Sequence, residues 1–231
     1  MRDRRNIGHA ETGKQGFLCE MAGKLEGEAV LDLGCGIGWF EAYAAKQGCS
    51  RVVGVDKDEV RLERARLLAP EAVFISGDVT VMEGGLGTFT LVAMFDFLEH
   101  LPRDVVPHVL RNAASLLEPG GRLLISVPYK GLVSTTLDPT FYLGHRHYKP
   151  PRIQELLADA GFRVSRVRFG GGIWEHVSMI WLYFFKWVFA REMPFSAFLE
   201  KKRLAEYQRH GSIPGSDSAT LFVEAVGKDG I

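Results

Sequence analysis

Three glycines and one aspartate in the first third of the chain have a spacing that suits ligand binding. Gly34, Gly36 and Gly38 lie between a short apolar run and a helical pattern. Because glycine has no Cβ, a ligand can approach such a turn closely, and the following helix points its N-terminus at the ligand. Asp56, eighteen residues after Gly38, ends the next apolar run. An acid at that place can accept hydrogen bonds from both hydroxyls of a ribose.

The residues around these glycines discriminate between two kinds of ligand. A dinucleotide site needs a third glycine at one of two positions, and the chain has Trp39 and Glu41 there. Asp32 places a negative charge inside the strand, close to the turn, where it would repel a pyrophosphate and suit a cationic ligand. The pattern therefore favours a cationic ligand, and an NAD-type site is the alternative.

An alternation of apolar strands and helical patterns positions these residues. Near-continuous apolar strands separated by helices are typical of a parallel sheet that is covered on both faces. We therefore predict an α/β fold with a doubly wound, mostly parallel sheet of the Rossmann-like kind. After the fifth strand the alternation stops, and we expect a long functional loop at 128–149. The predicted strands are 29–33, 51–56, 72–76, 89–95, 122–127, 162–169 and 220–226, and the predicted helices are 39–47, 58–69, 103–117, 150–160, 173–191 and 195–210.

Length and composition are those of an ordinary globular chain. The 231 residues suit one domain, or one domain with an insertion. The 28 basic and 28 acidic residues cancel, which argues against a general nucleic-acid binder, because such a protein needs a field of one sign. Three cysteines without a C-x-x-C pair predict reduced thiols. With no apolar run behind the basic start of the chain, we predict no secretory signal and a cytoplasmic location.

Several segments along the chain match, in the same order, the conserved motifs of a known protein family. They are 31–38 (LDLGCGIG), 53–56 (VGVD), 76–79 (SGDV), 95–101 (FDFLEHL) and 117–126 (LEPGGRLLIS). Together with the stretch 147–162, they resemble the class I S-adenosylmethionine-dependent methyltransferases, in their type 11-like, small-molecule branch. The resemblance covers about residues 29–169 and the last strand. It implies a seven-stranded sheet with an antiparallel last strand, and S-adenosylmethionine as the cofactor with S-adenosylhomocysteine as the product.

The resemblance also implies which residues bind the methionine part of this cofactor. Gly34 and Gly36 would line it, and Asp32 and Gly38 would lie beside them. The backbone at Asp96, where the fourth strand ends, would approach the amino-acid end of the cofactor. All five are therefore predicted cofactor-binding residues.

The same resemblance assigns the adenosine part to four other residues. Asp56 would bind the ribose, and Lys57 would lie along the adenine. Asp78 would accept a hydrogen bond from the adenine amino group, with the Val79 amide beside it. Two plainer interpretations stay open, because Asp56 could merely cap the helix after it and Asp78 could be an ordinary turn acid.

The chemistry implied by the resemblance is direct displacement at a methyl group that the sulfonium already activates. The protein mainly has to align the acceptor, and alignment supplies roughly 7–11 kcal/mol in well-oriented systems. A base is needed only when the acceptor starts protonated. His100, His145 and His147 are the candidate catalytic bases because imidazole titrates near neutrality, and Tyr142 and Tyr148 are candidates to orient the acceptor. The plainer interpretation makes these histidines packing residues, and no metal is predicted because no cysteine or acid cluster accompanies them.

The end of the fourth strand narrows the identity of the acceptor. The segment 96–99 reads DFLE, unlike the Asn/Asp-Pro-Pro-Tyr pattern of enzymes that methylate planar amides or nucleobase amines. No cysteine lies near it in the sequence, which disfavours attack by a thiolate on a pyrimidine. We predict a small-molecule or lipid-like acceptor and no nucleic acid partner. The alternatives are a non-catalytic S-adenosylmethionine-binding module and an NAD-dependent oxidoreductase.

The predicted domain organisation has three parts. Residues 1–28 form an N-terminal helical lid that folds over the cofactor. Residues 29–169 and 219–231 form the cofactor-binding α/β domain, and 170–218 form a helical cap insertion between its last two strands.

Residues 173–210 of the insertion have two interpretations. Apolar side chains recur at helical spacing along its first helix. The plainer interpretation is a cap helix packed on the core, or a homodimer contact. The other is an acceptor channel or a shallow membrane contact, with Lys186, Arg191 and 201–203 as a basic rim. A membrane contact would place the protein peripherally at the inner membrane surface.

Overall fold

The computed structural model describes residues 13–82, 85–189, 197–209 and 211–227. The strands are β1 Ala29–Leu33, β2 Arg51–Asp56, β3 Val73–Ser76, β4 Phe89–Phe95, β5 Leu117–Pro128, β6 Phe162–Gly170 and β7 Thr220–Gly227. The helices are α1 Gly13–Ala22, α2 Trp39–Lys46, α3 Glu59–Leu68, α4 Val106–Ser115, α5 Leu132–Leu137, α6 Pro139–Tyr142, α7 Pro150–Asp159, α8 Ile173–Phe189 and α9 Ala197–Arg209, with a 3-10 helix at Leu98–His100.

The strands form one seven-stranded sheet with the order β3-β2-β1-β4-β5-β7-β6. β1 pairs in parallel with β2 on one side and with β4 on the other, and the β2–β3 and β4–β5 pairs are parallel as well. The last strand is antiparallel, and helices flank the sheet. The predicted fold class, a doubly wound and mostly parallel α/β sheet with an antiparallel last strand, is confirmed.

The register of the first strands brings their carboxyl ends to one edge of the sheet. Asp32 of β1 is level with Gly54 of β2 and with Ala93 of β4. The strand order reverses at β1, because β2 follows it on one side and β4 lies on the other. In sheets of this type, ligands bind outside the carboxyl ends at the point of reversal. The glycine turn directly follows β1 and therefore lies at this edge.

Contacts divide the chain into two units, which we call the sheet unit and the helix unit. The sheet unit consists of residues 19–126, 151–166 and 223–231. The helix unit consists of residues 1–18, 127–150 and 167–222. The three-part division predicted from the sequence stays a prediction, and residues 1–12 of the proposed lid lie outside the described residues.

Two arginines of the sheet unit anchor the C-terminal end of α1. Arg122 donates to the Ala22 carbonyl over 3.1 Å, and Arg166 donates to the Met21 carbonyl over 2.9 Å. Both arginines also pair with Glu224, over 3.3 Å and 2.9 Å. The last carbonyls of a helix have no partner within the helix, so these contacts satisfy them.

The long loop predicted at 128–149 is wrong in part, because it contains two short helices, α5 and α6. α6 begins after Asp138, whose Oδ1 accepts hydrogen bonds from the amide and hydroxyl of Thr140 over 2.9 Å and 2.7 Å. Pro139 occupies the first turn of α6, where its fixed φ is favourable. The Asp-Pro pair is a helix-start signal, but a helix of four residues is too short to show a periodic pattern.

The fourth helix and the fifth strand also differ from their predicted bounds. α4 is shorter than the predicted helix at 103–117, because turns precede it and β5 begins directly behind it. Along the β4–β5 pair, Phe89 is level with Leu117 and Leu91 is level with Arg122. The Pro-Gly-Gly segment at 119–121 is therefore a bulge inside β5, since an interrupted register is what a bulge produces.

Candidate cofactor-binding site

The glycine turn between β1 and α2 has a backbone that glycine adopts most easily. The φ angle is +87° at Gly34, +56° at Gly36 and +77° at Gly38, all in the left-handed region that a Cβ disfavours. The amides of Gly34 and Cys35 both donate to the Val55 carbonyl, over 2.8 Å and 3.0 Å. These bonds hold the turn against the end of β2.

The three glycines serve different purposes. A Cβ at Gly34 would collide with the ring of Phe97, and a Cβ at Gly38 would come within 2.8 Å of Ala65 Cβ. A Cβ at Gly36 would meet no described atom within 4 Å. Gly38 therefore permits the packing of α2 and α3, and Gly34 permits the approach of Phe97. Gly36 faces open space and is the glycine best placed to admit a ligand.

Asp56 joins the end of β2 to the glycine turn. Its Oδ2 accepts a hydrogen bond from the Gly36 amide, and its Oδ1 accepts one from the Asp58 amide, both over 2.9 Å. α3 is capped by Asp58 rather than by Asp56, so the capping interpretation of Asp56 is not needed. An ionised carboxylate offers about four acceptor positions, so both oxygens retain capacity for ribose hydroxyls. The ribose contact itself stays a prediction.

Two buried carboxylic acids accompany the turn. Asp32 of β1 and Glu41 of α2 have 2% and 0% exposure. Asp32 Oδ1 and both carboxyl oxygens of Glu41 have no hydrogen-bond partner in the part of the chain that the structure describes. Burial and then the charge of Asp56 raise the pKa of Asp32 from 3.8 to about 8. Burial and then the charge of Asp32 raise the pKa of Glu41 well above its ordinary value.

A cationic ligand at the turn would compensate these buried acids. Carboxyl groups without partners are unfavourable in a protein interior, and a nearby positive charge stabilises their ionised form. The Cys35 thiol does not supply a competing negative charge, because burial and the neighbouring Glu41 raise its pKa. The acids, the open space at Gly36 and the carboxylate of Asp56 therefore fit the S-adenosylmethionine predicted from the sequence.

Asp96, at the end of β4, has a backbone conformation that is unusual for its residue type. Its φ of 51° is the only positive value of a non-glycine residue within the described ranges. Its amide donates to the Ser126 carbonyl, and the Ser126 hydroxyl donates to its Oδ1, both over 3.0 Å. Such backbone strain amounts to about 1–3 kcal/mol and occurs preferentially at functional sites. The strain lies at the residue assigned to the amino-acid end of the cofactor, and that contact stays a prediction.

The residues assigned to the adenine follow β2 and β3. Asp78 Oδ1 accepts hydrogen bonds from the Thr80 amide and hydroxyl, over 2.9 Å and 2.7 Å. These bonds, and to a smaller extent the charge of Lys57, hold the pKa of Asp78 below its ordinary value. Val79 is buried and Asp78 is exposed. The turn interpretation of Asp78 accounts for these hydrogen bonds, and the adenine contacts of Lys57, Asp78 and Val79 stay predictions.

The three predicted bases fall in different units of the molecule. His100 ends the 3-10 helix of the sheet unit and is exposed. His145 and His147 belong to the helix unit. Their catalytic roles stay predictions.

His147 lies beside an acid that sequence reasoning did not single out. Its Nε2 is 3.3 Å from Asp138 Oδ2, and its ring contacts Phe141 edge-on with the ring centres 5.1 Å apart. Burial raises the pKa of Asp138, but the nearby His147 ring and the hydrogen bonds from Thr140 outweigh it and keep the pKa below its ordinary value. Burial lowers the pKa of His145, so its ring is neutral at pH 7 and can accept a proton.

Sequence reasoning missed three residues of these sites. Glu41 had a recognisable signal, because it is an acid within the apolar stretch that opens α2. Asp138 had one as well, since an acid before a proline is typical of a helix start. Phe97 had none, because its approach to Gly34 joins residues that are distant in the sequence.

The helix unit contains an apolar groove of about 430 Å³, lined by Thr136, Leu137, Pro139, Tyr142 and Ile180. Tyr142, a candidate to orient the acceptor, donates its hydroxyl to the Thr136 carbonyl over 3.2 Å. Sites for small ligands have volumes of roughly 300–1,000 Å³ and mostly apolar walls. The groove therefore has the size and character for an apolar group of a ligand.

Comparison with known proteins identifies the family. Residues 11–167 match the family model described as a methyltransferase domain. The ubiquinone biosynthesis O-methyltransferase of Vibrio parahaemolyticus is 33% identical over 123 residues, which are 51% of this chain and 51% of that protein. Phosphoethanolamine N-methyltransferase 1 of Triticum aestivum is 30% identical over 165 residues, which are 67% of this chain and 33% of that protein. The matched part of the chain spans about half the length of the first relative and a third of the second.

Solved structures share the fold. An S-adenosylmethionine-dependent methyltransferase from Mesorhizobium loti aligns with a TM-score of 0.64 at 20% identity, over 95% of this chain and 98% of that one. The magnesium protoporphyrin IX methyltransferase of Synechocystis PCC 6803, solved with bound S-adenosylhomocysteine, aligns with a TM-score of 0.63 at 22% identity, over 96% of this chain and 84% of that one. Since the family model matches more than half of its length, the chain belongs to the methyltransferase-domain family, and its predicted resemblance to the class I S-adenosylmethionine-dependent methyltransferases is confirmed.

Proposed function

We propose that the chain is an enzyme that transfers a methyl group from S-adenosylmethionine to a small-molecule or lipid-like acceptor. The observation that carries the proposal is the pair of buried acids, Asp32 and Glu41, at a turn where Gly36 faces open space. Asp32 Oδ1 and both carboxyl oxygens of Glu41 have no hydrogen-bond partner among the described residues. A sulfonium nucleoside offers a positive charge to these acids and a ribose to Asp56, which lies at the Gly36 amide. Membership of the family supports the same cofactor.

The proposed role of the sheet unit is to fix the position of the cofactor. When bound, S-adenosylmethionine supplies a methyl group that is already activated for displacement. The glycine turn and the backbone at Asp96 hold the methionine part, and Asp56 holds the ribose. Lys57, Asp78 and Val79 line the adenine. Such positioning matters because alignment of donor and acceptor supplies much of the rate enhancement in displacement reactions.

His145 is the proposed proton acceptor when the methylated group is a hydroxyl. Burial lowers the pKa of its ring, so the neutral, basic form predominates at pH 7. His147 is proposed as a positioning residue, because Asp138 and Phe141 hold its ring. His100 is the other candidate base.

We propose an acceptor with an apolar part. The names of the two relatives describe O-methylation in ubiquinone biosynthesis and N-methylation of phosphoethanolamine. The groove at Tyr142 and Ile180 has apolar walls and is proposed to take the apolar part of the acceptor.

Calorimetry tests the cofactor assignment. The full-length protein is titrated with S-adenosylmethionine, S-adenosylhomocysteine and NAD. We expect both sulfur nucleosides to bind and NAD not to bind. Binding of NAD without any response to the sulfur nucleosides would contradict the proposal and favour the oxidoreductase alternative.

A methyl-transfer screen tests catalysis. The protein is incubated with S-adenosylmethionine labelled in the methyl group and with fractions of a metabolite and lipid extract. We expect labelled product in at least one fraction, and we expect His145→Gln to lower kcat for a hydroxyl acceptor without changing the affinity for S-adenosylmethionine. Cofactor binding without transfer to any fraction would favour the non-catalytic binding module.

A further inference from the structure

α8 exposes apolar side chains and buries polar ones, the reverse of an ordinary amphipathic helix. Phe184 and Val188 are 50% and 56% exposed, whereas His176 and Ser178 are 2% and 1% exposed. The exposed side chains recur at helical spacing, so they form one stripe, which we call the apolar face. Its members are Ile173, Ile180, Trp181, Phe184 and Val188.

Polar contacts on the other side of α8 hold the helix in this orientation. Glu206 of α9 accepts a hydrogen bond from the Glu175 amide in the first turn of α8, over 3.1 Å. Arg203 pairs with the Glu175 side chain over 2.8 Å, and His176 Nε2 lies 3.2 Å from the Asp217 carbonyl. Turning the apolar face inward would break these contacts and leave polar groups without partners, which is unfavourable. Exposure of the apolar face is therefore a built-in property of the helix unit.

The exposed apolar surface extends beyond α8. Ile180 of the apolar face also lines the groove of the helix unit, together with Tyr142 of α6. Tyr142 and the following Leu143 are more than half exposed. Single exposed apolar residues are ordinary, but a contiguous group of large ones marks an interaction surface.

The charges of α9 complement a negatively charged partner. Lys201 and Lys202 are exposed. Among the described residues of α8 and α9, the acids Glu175 and Glu206 make the contacts between these helices and are largely buried. Glu200, the remaining acid of α9, is partly buried. Lys202 Nζ lies 5.7 Å from the centre of the Trp174 ring in the first turn of α8, so α9 brings a lysine to α8. An apolar helix face with exposed lysines on the neighbouring helix is typical of helices that lie on anionic membranes.

We propose that the apolar face docks on the surface of an anionic phospholipid bilayer, with Lys201 and Lys202 at the lipid phosphate groups. Trp181 and Phe184 are aromatic side chains, and an amphipathic ring such as that of Trp181 favours the boundary between lipid and water. α8 has 17 residues, fewer than the ~20 that cross a bilayer. None of the helices in the described ranges is long and apolar enough to span a membrane, so α8 lies along the surface.

Charge favours lipid over a second copy of this chain as the partner. A second copy would bring its own Lys201 and Lys202 to the contact, whereas an anionic lipid brings the opposite charge. The proposal does not depend on methyl transfer, because vesicle binding is measured without cofactor or acceptor.

Flotation of the full-length protein with vesicles tests the proposal. The vesicles consist either of phosphatidylcholine alone or of phosphatidylcholine and phosphatidylglycerol in equal parts. We expect the protein to float with the anionic vesicles and to float much less with the neutral ones. High salt should weaken the binding, because it screens the charges of the lysines.

Two double variants separate the apolar and the charged contributions. Trp181→Ser with Phe184→Ser should lower the floated fraction at least about fivefold on both kinds of vesicle, because both side chains would leave the lipid. Lys201→Glu with Lys202→Glu should remove the preference for anionic vesicles, since each lysine near such a surface contributes about 1 kcal/mol.

Matched controls change similar side chains in the sheet unit. Val60→Ser with Leu67→Ser removes two exposed apolar side chains of α3, and Lys24→Glu with Arg64→Glu reverses two exposed charges. Both controls should float like the wild type. Thermal unfolding of every variant shows that the fold is retained.

Three results would overturn the proposal. The wild type could fail to float with anionic vesicles, or the serine variant could float as well as the wild type. In the third result, the wild type would not bind vesicles, and light scattering would show that it is a dimer. The variant with Trp181→Ser and Phe184→Ser would then be a monomer. That last result would assign the apolar face to a second copy of the chain.

Discussion

The glycine turn of the sheet unit and the apolar face of the helix unit depart from ordinary protein structure in opposite ways. At the turn, Asp32 and Glu41 are buried acids, and Asp32 Oδ1 and both carboxyl oxygens of Glu41 have no hydrogen-bond partner among the described residues. On α8, Trp181 and Phe184 are large apolar side chains that are exposed. Each arrangement is unfavourable for the protein alone.

The two exceptions indicate ligands of opposite character. Buried acids are stabilised by a cation, and exposed apolar groups are stabilised by a nonpolar phase. A buried acid or an exposed apolar side chain therefore indicates the chemical character of the ligand that binds beside it. The predictions below test whether each region owes its properties to its ligand or to the fold.

Within the glycine turn, a large loss of stability is expected from the two glycines that face different surroundings. Gly38→Ala should lower the free energy of unfolding by about 2–4 kcal/mol, because left-handed strain adds to a collision with Ala65. Gly36→Ala should cost about 1–2 kcal/mol, since strain acts there without a collision. Urea denaturation measures both. Equal losses would mean that Gly36 is as tightly packed as Gly38.

Asp56→Ala should weaken the binding of S-adenosylmethionine by more than about tenfold, because a hydrogen bond to a charged group contributes about 1.5–3 kcal/mol. Asp58→Ala is the matched control. It removes the cap of α3, at about 1 kcal/mol of stability, and should leave the affinity unchanged. Calorimetry measures both affinities. An unchanged affinity of Asp56→Ala for S-adenosylmethionine would contradict the prediction that Asp56 binds the ribose.

The buried acids should make stability dependent on pH. The folded-state pKa of Asp32 and of Glu41 is raised, so the folded chain retains protons that the unfolded chain loses. Their contribution to the free energy of unfolding is complete below about pH 4 and is lost as the pH rises towards 8. Glu41→Gln should reduce this loss, because the amide has no proton to release as the pH rises.

Denaturation across this pH range, with the exposed Glu63→Gln as the control, measures the effect. If the free energy of unfolding of Glu41→Gln and of the wild type changed equally with pH, the buried acids would not be the cause of the loss of stability at higher pH.

A smaller effect is expected on the choice between cofactor and product. Only S-adenosylmethionine carries the sulfonium charge, and ionised Asp32 attracts it. Its affinity relative to S-adenosylhomocysteine should therefore rise as the pH passes through about 8, where Asp32 loses its proton. Calorimetry with both ligands on either side of this pH measures the ratio. The ratio should become independent of pH in Asp32→Asn, and a constant ratio in the wild type would contradict the role of this acid.

A smaller effect on stability than that of a fully buried ring is expected at the apolar face. Trp181→Ser with Phe184→Ser should lower the free energy of unfolding by about 1–2 kcal/mol, because the two side chains are 40% and 50% exposed and make ring contacts with Phe185. Phe40→Ala in the sheet unit is the contrast, with an expected loss of about 3–5 kcal/mol from a fully buried ring. Thermal unfolding compares the two. A large loss in the serine variant would show that the apolar face packs within the protein.

Sequence reasoning succeeded where near neighbours in the chain specify the structure. The apolar runs of β1, β2 and β4 and the glycine turn were all predicted at their observed places. Each depends on the intrinsic preferences of a few consecutive residues. α5 and α6 escaped prediction because such short helices have no periodic signal.

Spacing and residue type in the linear chain were thus sufficient for the strands, the turn and the kind of ligand it admits, whereas the strand order came from the tertiary structure. The approach of Phe97 to Gly34 became visible only in the folded structure, because the two residues lie on elements far apart in the sequence. The same holds for α8. The spacing of its apolar residues predicts an apolar stripe. The polar contacts that Glu206 and Arg203 of α9 make with α8 leave that stripe exposed. The pattern within one helix contains no information about the residues that pack against it.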